Sequence, residues 1–220
     1  MKCKRNSLKM TKSLIIACDG EAASGKSTGS KLISKKYKLL LVNSGLFYRY
    51  ASKLIILHKP KQIIPFLKKK LKKINYKTIV RQNLHSQEIS KYVGILAKKK
   101  KVRLIINNIQ KKIIKNNKRI CLEGRDIASN ILKKNPKYDV AFYFKCNLDI
   151  ASKRRWLDLD KKVPLTEVKK YLKIRTSLDK NRKHSPLKKV NDAILIRSDK
   201  LSKMQMLKEM SKAIKKKNLI

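Results

Sequence analysis

Residues 20–27 read Gly-Glu-Ala-Ala-Ser-Gly-Lys-Ser and match the pattern G-x-x-x-x-G-K-[ST] at every fixed position. A loop of this kind belongs between a buried strand and the helix it opens, and the flanking sequence supplies both. Leu14–Cys18 is a short apolar run of strand character, and Ser27–Tyr37 is made of helix-compatible residues. Strand, glycine loop and helix in that order aim successive backbone N–H groups and a helix N-terminus at one anionic point. Gly20 and Gly25 permit backbone angles and close approach that a Cβ would block. Lys26 is placed to reach the β- and γ-phosphates of a nucleotide, and the Ser27 hydroxyl to ligate Mg²⁺. The competing reading is a chance Gly/Ser turn. It must discard four matched positions and a matching strand context.

The rest of the chain repeats the alternation. Strand-like apolar runs occur at Leu14–Cys18, Leu39–Val42, Ile120–Leu122, Val140–Phe144 and Ala193–Ile196. Most are continuous rather than alternating, as in strands covered on both faces. Helix-compatible stretches lie between and after them at 27–37, 45–58, about 87–116, 148–160, 164–180 and 200–217. The expected fold is therefore α/β, with a five-stranded parallel sheet, doubly wound. Residues 1–12 read as a basic N-terminal extension and 13–220 as a single domain. Two stretches break the alternation. Lys-rich 58–86, with Pro60, Pro65 and an extended-looking Tyr76–Val80, reads as an insert at the mouth of the site. Residues 154–164 read as a small flap or lid. No internal repeat is present.

No apolar run approaches the roughly 20 residues of a membrane span. Leu14–Cys18 is too short for a signal peptide and enters the phosphate loop. A cytoplasmic monomer without a membrane partner is expected. The formal net charge of +45 raises nucleic-acid binding as a candidate. However, 48 of the 59 basic residues are lysines spread along the whole chain, without one block and without aromatic interleaving. That is a compositional bias filling solvated faces, as at Lys68–Lys70, Lys98–Lys101 and Lys215–Lys217, and no dedicated nucleic-acid partner is expected. The 11 arginines are more selective. Arg49, Arg103, Arg125, Arg154, Arg155, Arg175 and Arg182 all fall in candidate site segments. Only Arg offers a planar bidentate fork for phosphate and carboxylate. Cys3, Cys18, Cys121 and Cys146 have no metal spacing and read as buried free thiols of a reducing cytosol, and the three histidines are isolated.

Four further constellations sit at strand ends or on helices. Asn43-Ser44-Gly45 with Tyr48-Arg49 follows the second strand run, where doubly wound sheets bind ligands. It reads equally as a helix N-cap. Glu123-Gly124-Arg125-Asp126 ends the third run, and its acidic start can order water bound to Mg²⁺. The alternative there is a surface turn. Arg175-x-x-x-Asp179-x-x-Arg182 has spacings of four and three, which place all three on one helix face as a clamp or as a surface ladder. Arg154-Arg155 opens the flap, or is a solvated helix end.

Together these stretches resemble the bacterial cytidylate kinases of the nucleoside monophosphate kinase group. The matching stretches are Asp19-Gly20-x-x-x-Ser24-Gly25-Lys26-Ser27, Ser44-Gly45-x-x-Tyr48-Arg49, Val102-Arg103, Glu123-Gly124-Arg125-Asp126-Ile127, Arg154-Arg155 and Arg175-x-x-x-Asp179-x-Asn181-Arg182-x-x-Ser185-Pro186-Leu187. They run in the family's order from about residue 13 to the C-terminus. The resemblance implies a P-loop kinase core with a short monophosphate-binding insert and a short lid. It implies transfer of the ATP γ-phosphate to CMP or dCMP with Mg²⁺. It places Gly20, Glu21, Ala22, Ala23, Ser24, Gly25, Lys26, Ser27 and Thr28, with Arg154 and Arg155, around the donor. It places Ser44, Arg49, Arg103, Arg125, Asp126, Arg175, Asp179 and Arg182 around the acceptor. Lys26, Arg125, Arg175 and Arg182 are the expected catalytic charges. The chain departs from the family at Glu21, where Pro or a small residue is usual, at Asn43, where Asp is usual, and at Gly94, where Ser often stands. The insert is also shorter. The rival readings are another small-acceptor P-loop kinase, of shikimate or thymidylate type, and a basic P-loop protein acting on RNA.

Overall fold

A computed structural model describes residues 12–219. The expected extension over 1–12, and Cys3 within it, therefore falls almost wholly outside the described residues. The described residues build one parallel sheet from β1 (Leu14–Gly20), β2 (Leu40–Asn43), β3 (Arg119–Gly124), β4 (Val140–Lys145) and β5 (Ile194–Arg197), in the order β2-β3-β1-β4-β5. β1 is central and pairs with β3 on one side and β4 on the other. Its successive side chains point to opposite faces, and both faces are covered, so its sequence is apolar without alternation. Leu14, Ile16 and Cys18 pack with Phe142, Phe144 and Ile196. Ala17 faces the other way, with Val42, Leu122 and Tyr143.

The helices follow from which face they cover. α1 (Lys26–Lys36) and α9 (Lys203–Lys216) close the first face through Ile33, Met206, Met210 and Ile214. α2 (Ser44–His58), α3 (Ile63–Leu71), α4 (Tyr76–Val80), α5 (Gln87–Leu96) and α6 (Lys100–Lys115) contribute to the core on the second. α7 (Leu148–Leu157) and α8 (Leu165–Asn181) pack on each other around Ala151, Val168 and Leu172, and this small cluster includes Ala22 of the phosphate loop.

Three sequence expectations are corrected. The stretch at about 87–116 is two helices, because the chain leaves helical geometry at Lys99 (φ −79°, ψ 111°). Leu96 and Val102, on either side of the lysine run Lys98–Lys101, are both fully buried, so the turn brings two apolar stripes into one core. Tyr76–Val80 is a short helix, not an extended segment. Its β-rich composition is overridden by the Asn75 side chain, which accepts the Lys77 N–H, and by burial of Ile79. The insert also contains α3, with Pro65 tolerated in its first turn.

A π-helical turn, Ile127–Ile131, follows β3 and had no sequence signal. The buried Asp19 carboxylate fixes it, accepting the N–H groups of Ile127 and Ala128, each at 2.8 Å. Burial pushes this carboxyl up to about 6, against the pull of those two amides. Asp19→Asn leaves one acceptor for two buried donors. It is expected to lower the unfolding free energy by about 1–3 kcal/mol, the usual cost of an orphaned buried group. Urea denaturation checks this, and an unchanged midpoint would show that the turn holds itself.

Candidate active site

The phosphate loop joins β1 to α1 as its spacing requires. A Cβ on Gly20 would lie 2.4 Å from the Phe144 carbonyl oxygen, so β1 and β4 approach closely only with glycine there. The Glu21 N–H donates to that same carbonyl. Gly25 has φ 71°, the left-handed geometry that turns the chain into α1. Ala22, Ser24 and Lys26 are buried, Glu21, Ala23 and Thr28 are half-buried, and Ser27 is exposed. Burial, then the Arg125 charge, pulls the Lys26 amine down to about 8, with Glu123 and Asp19 opposing and Arg175 adding to the fall.

Ser27 meets Glu123 across the sheet, its hydroxyl donating to Oε1 at 3.0 Å. The Asn43 amide donates to the same oxygen. Glu123 Oε2 is buried without a hydrogen-bond partner among the described residues. An orphaned carboxylate oxygen beside a hydroxyl on the first turn of α1 suits a small hard cation that takes oxygen ligands. Ser27 and Glu123 therefore fit Mg²⁺.

Asn43 is the cap of α2, its Oδ1 accepting the Gly45 N–H, so the N-cap reading of Asn43-Ser44-Gly45 is correct. It does not compete with a site role, because the cap places Ser44, buried, just past the C-terminal end of β2. The backbone N–H of Asn43 donates to the Tyr76 hydroxyl at 2.7 Å. Tyr76 thus comes from the insert to the strand end, a placement the sequence does not signal because Tyr76–Val80 is extended by composition and helical in the fold. Arg49 ties α2 to the insert, donating to the Leu84 carbonyl and the Ser90 hydroxyl.

The remaining charges form a continuous chain. Arg103 pairs with Asp126 at 2.5 Å, Asp126 with Arg182 at 3.0 Å, Arg182 with Asp179 at 3.6 Å and Asp179 with Arg125 at 2.9 Å. The expectation that Arg175, Asp179 and Arg182 share one helix face is corrected. α8 ends at Asn181, and Arg182 has an extended backbone (φ −67°, ψ 139°). This swings its side chain back towards Asp126. Arg175 points elsewhere, donating to the Tyr171 hydroxyl, and makes no ion pair among the described residues. The flap expectation is corrected in part. Arg154 and Arg155 lie on α7, and the irregular segment begins after Leu157. Arg154 donates to the Ser198 carbonyl at 3.0 Å, and Ser198 lies against Gly25, within 3.0 Å of where a Cβ would be.

Lys26 is depressed by Arg125 and Arg175. Arg49 is depressed first by burial and then by Arg175, with Arg155 and Arg125 following. Arg125, after β3, and Arg175, on α8, thus act on both Lys26 of the phosphate loop and Arg49 of α2. Such a cluster is poised for an anionic ligand that touches all of them.

Comparison with known proteins agrees with this geometry. A profile described as cytidylate kinase matches residues 16–216. The cytidylate kinase of Fusobacterium nucleatum subsp. nucleatum is 34% identical over 225 residues, covering 92% of this chain and 98% of that protein. The cytidylate kinase of Rickettsia akari is 30% identical, covering 97% of each. The bifunctional pantoate ligase/cytidylate kinase of Prochlorococcus marinus strain AS9601 is 37% identical, but this chain spans only 40% of its length. Among solved structures, an uncharacterized protein from Eubacterium ventriosum superposes with a TM-score of 0.55 at 15% identity, covering 93% of this chain and 99% of that one. The two share a fold. The profile runs unbroken from β1 to the end of α9, and the stand-alone relatives match along nearly their whole length: this chain belongs to the cytidylate kinase family.

Proposed function

We propose that this chain transfers the γ-phosphate of ATP to CMP or dCMP, giving CDP or dCDP. The observation that carries the reading is the positive charge gathered around the phosphate loop, where Arg125 and Arg175 act on both Lys26 and Arg49, and where Arg49 and Arg175 make no ion pair among the described residues. Phosphoryl transfer asks little covalent chemistry of a protein and depends on alignment and charge neutralisation. The amides of Gly20–Thr28, with Lys26, hold the donor phosphates, and Arg154 and Arg155 approach from α7. Ser44, Arg49 and Arg175 hold the acceptor phosphate. Arg103, whose Nε is buried and without a partner among the described residues, has a donor for the base or ribose. Asp126, Asp179 and Arg182 keep that end rigid. Arg125 and Arg175 steady the group in flight, together with Lys26. Mg²⁺, held through Ser27 and Glu123, supplies further charge neutralisation at the donor phosphates. The acceptor phosphate oxygen is already anionic, so no general base is needed.

Residues 13–220 are read as one domain, acting as a cytoplasmic monomer, with 58–86 as the acceptor-side insert and 154–164 as the lid region. No helix among the described residues is long and apolar enough to cross a membrane. The test is a coupled assay with ATP over CMP, dCMP, UMP, AMP, GMP and dTMP. CMP or dCMP should be turned over best, and a clear preference for any other acceptor would sink the assignment. Gly94, whose missing Cβ would meet nothing within 4 Å, leaves open space where the family often carries Ser, so discrimination between bases rests on the remaining contacts.

The charge of +45 is not needed for this chemistry. Added RNA is expected to inhibit at most, by covering a diffuse basic surface, and the inhibition should fade as salt screens it. RNA-stimulated ATP hydrolysis with no transfer to any monophosphate would favour the RNA-linked rival.

A further inference from the structure

Glu21 is the single carboxylate in the loop Gly20–Thr28, and it stands where the family usually has Pro or a small residue. Its backbone is pinned to the end of β4 by the hydrogen bond to Phe144. Its carboxylate is mostly buried, with a side-chain exposure of 14%. The charge is felt there: the Tyr143 hydroxyl is pushed up to about 12, first by burial and next by Glu21. A fixed negative charge beside a triphosphate opposes binding. Among the described residues it has one close counter-charge. The ammonium of Lys180, on the last turn of α8, lies 2.7 Å from Glu21 Oε1. Lys180 is 45% exposed and stays hydrated without its partner, whereas the mostly buried carboxylate relies on it.

We propose that Lys180 is a positioning and masking residue for the donor: it neutralises Glu21 and so allows a loop with an acidic second position to hold a nucleoside triphosphate. The proposal rests on the assignment of this loop to ATP. The pair also joins the phosphate loop to the α8 turn that carries Asp179, so donor and acceptor sides are linked through one contact. Neutralising the loop should matter for donor affinity far more than for acceptor affinity.

The experiment is a double-mutant cycle on the full chain with Lys180→Met, Glu21→Ala and the pair combined. Equilibrium ATP binding without acceptor is the first readout, and the split between KM for ATP and kcat is the second. Lys180→Met is expected to weaken ATP binding about fivefold, a Coulomb effect of a partly screened pair. On the Glu21→Ala background the same change should cost nothing. The Lys180→Met defect should shrink as KCl rises from about 50 to about 300 mM. Lys180→Arg, which retains the charge, should recover affinity and also serves if the Met variant folds poorly. An undiminished loss on the Glu21→Ala background would show that Lys180 acts on ATP directly and would overturn the proposal. So would no loss at all in Lys180→Met. A wild-type chain that binds no ATP would instead overturn the donor assignment itself, and the proposal with it.

Discussion

Lys26→Met is expected to lower turnover by at least about two orders of magnitude, the scale on which a principal charge stabiliser contributes to a transition state. Methionine keeps an unbranched apolar chain and fills the same buried volume, so the fold should survive. What it lacks is the ammonium proposed to meet the donor phosphates. Lys26 is already disfavoured as a cation, drawn down to about 8 by burial and by Arg125. The free protein therefore loses this proton as pH rises through about 8, and kcat/KM for ATP should fall over that range as the charge disappears. Bound phosphates favour the charged form, so the corresponding fall in kcat should lie at higher pH. The Met variant should lack the first of these limbs. Circular dichroism and a coupled assay over pH check the two statements. Near-normal turnover with Met at this position would remove the phosphate loop from the mechanism.

The parts of this molecule that were legible in the sequence share a physical reason: each depends on local order along the chain. The loop Gly20–Ser27 needs a strand before it and a helix after it, and both are read from consecutive residues. Buried parallel strands are continuous apolar runs, so all five were placed to within two residues at each end. What could not be read depends on partners distant in sequence. Arg182 looks like the next step of a helical ladder after Arg175 and Asp179, yet it leaves the helix to meet Asp126, 56 residues away. Tyr76 reads as strand by composition and becomes a short helix that delivers its hydroxyl to Asn43. The π-helical turn has no signature of its own, because Asp19 supplies the acceptors that fix it. Lys180 is one lysine among 48, and nothing in its surroundings marks it as the counter-charge of Glu21.

Arg182→Lys is the substitution that separates charge from geometry in the acceptor end. The guanidinium spends three nitrogens in three directions: NH2 on Asp126 at 3.0 Å, NH1 towards Asp179 at 3.6 Å and Nε on the Ser185 carbonyl at 2.5 Å. Its side chain is 8% exposed, so water cannot substitute for a lost partner. A lysine keeps the charge but offers one compact ammonium, which cannot span those positions. Asp126 would then keep only Arg103 and the Asn130 amide, both on Oδ2, and the link from Asp126 through Arg182 to Asp179 and Arg125 would open. Losing one or two such bonds in a buried setting costs about 1–3 kcal/mol. The expected result is a fall of about 10- to 100-fold in kcat/KM for CMP as the acceptor end loses its order, with KM for ATP little changed. Lys216→Arg, on the exposed end of α9, is the control and should be silent. Equal and small effects from both substitutions would mean that Arg182 belongs to a solvated ladder. A large effect confined to the acceptor would show that this end of the cleft works through the direction of its hydrogen bonds, beyond the positive charge that the chain carries everywhere.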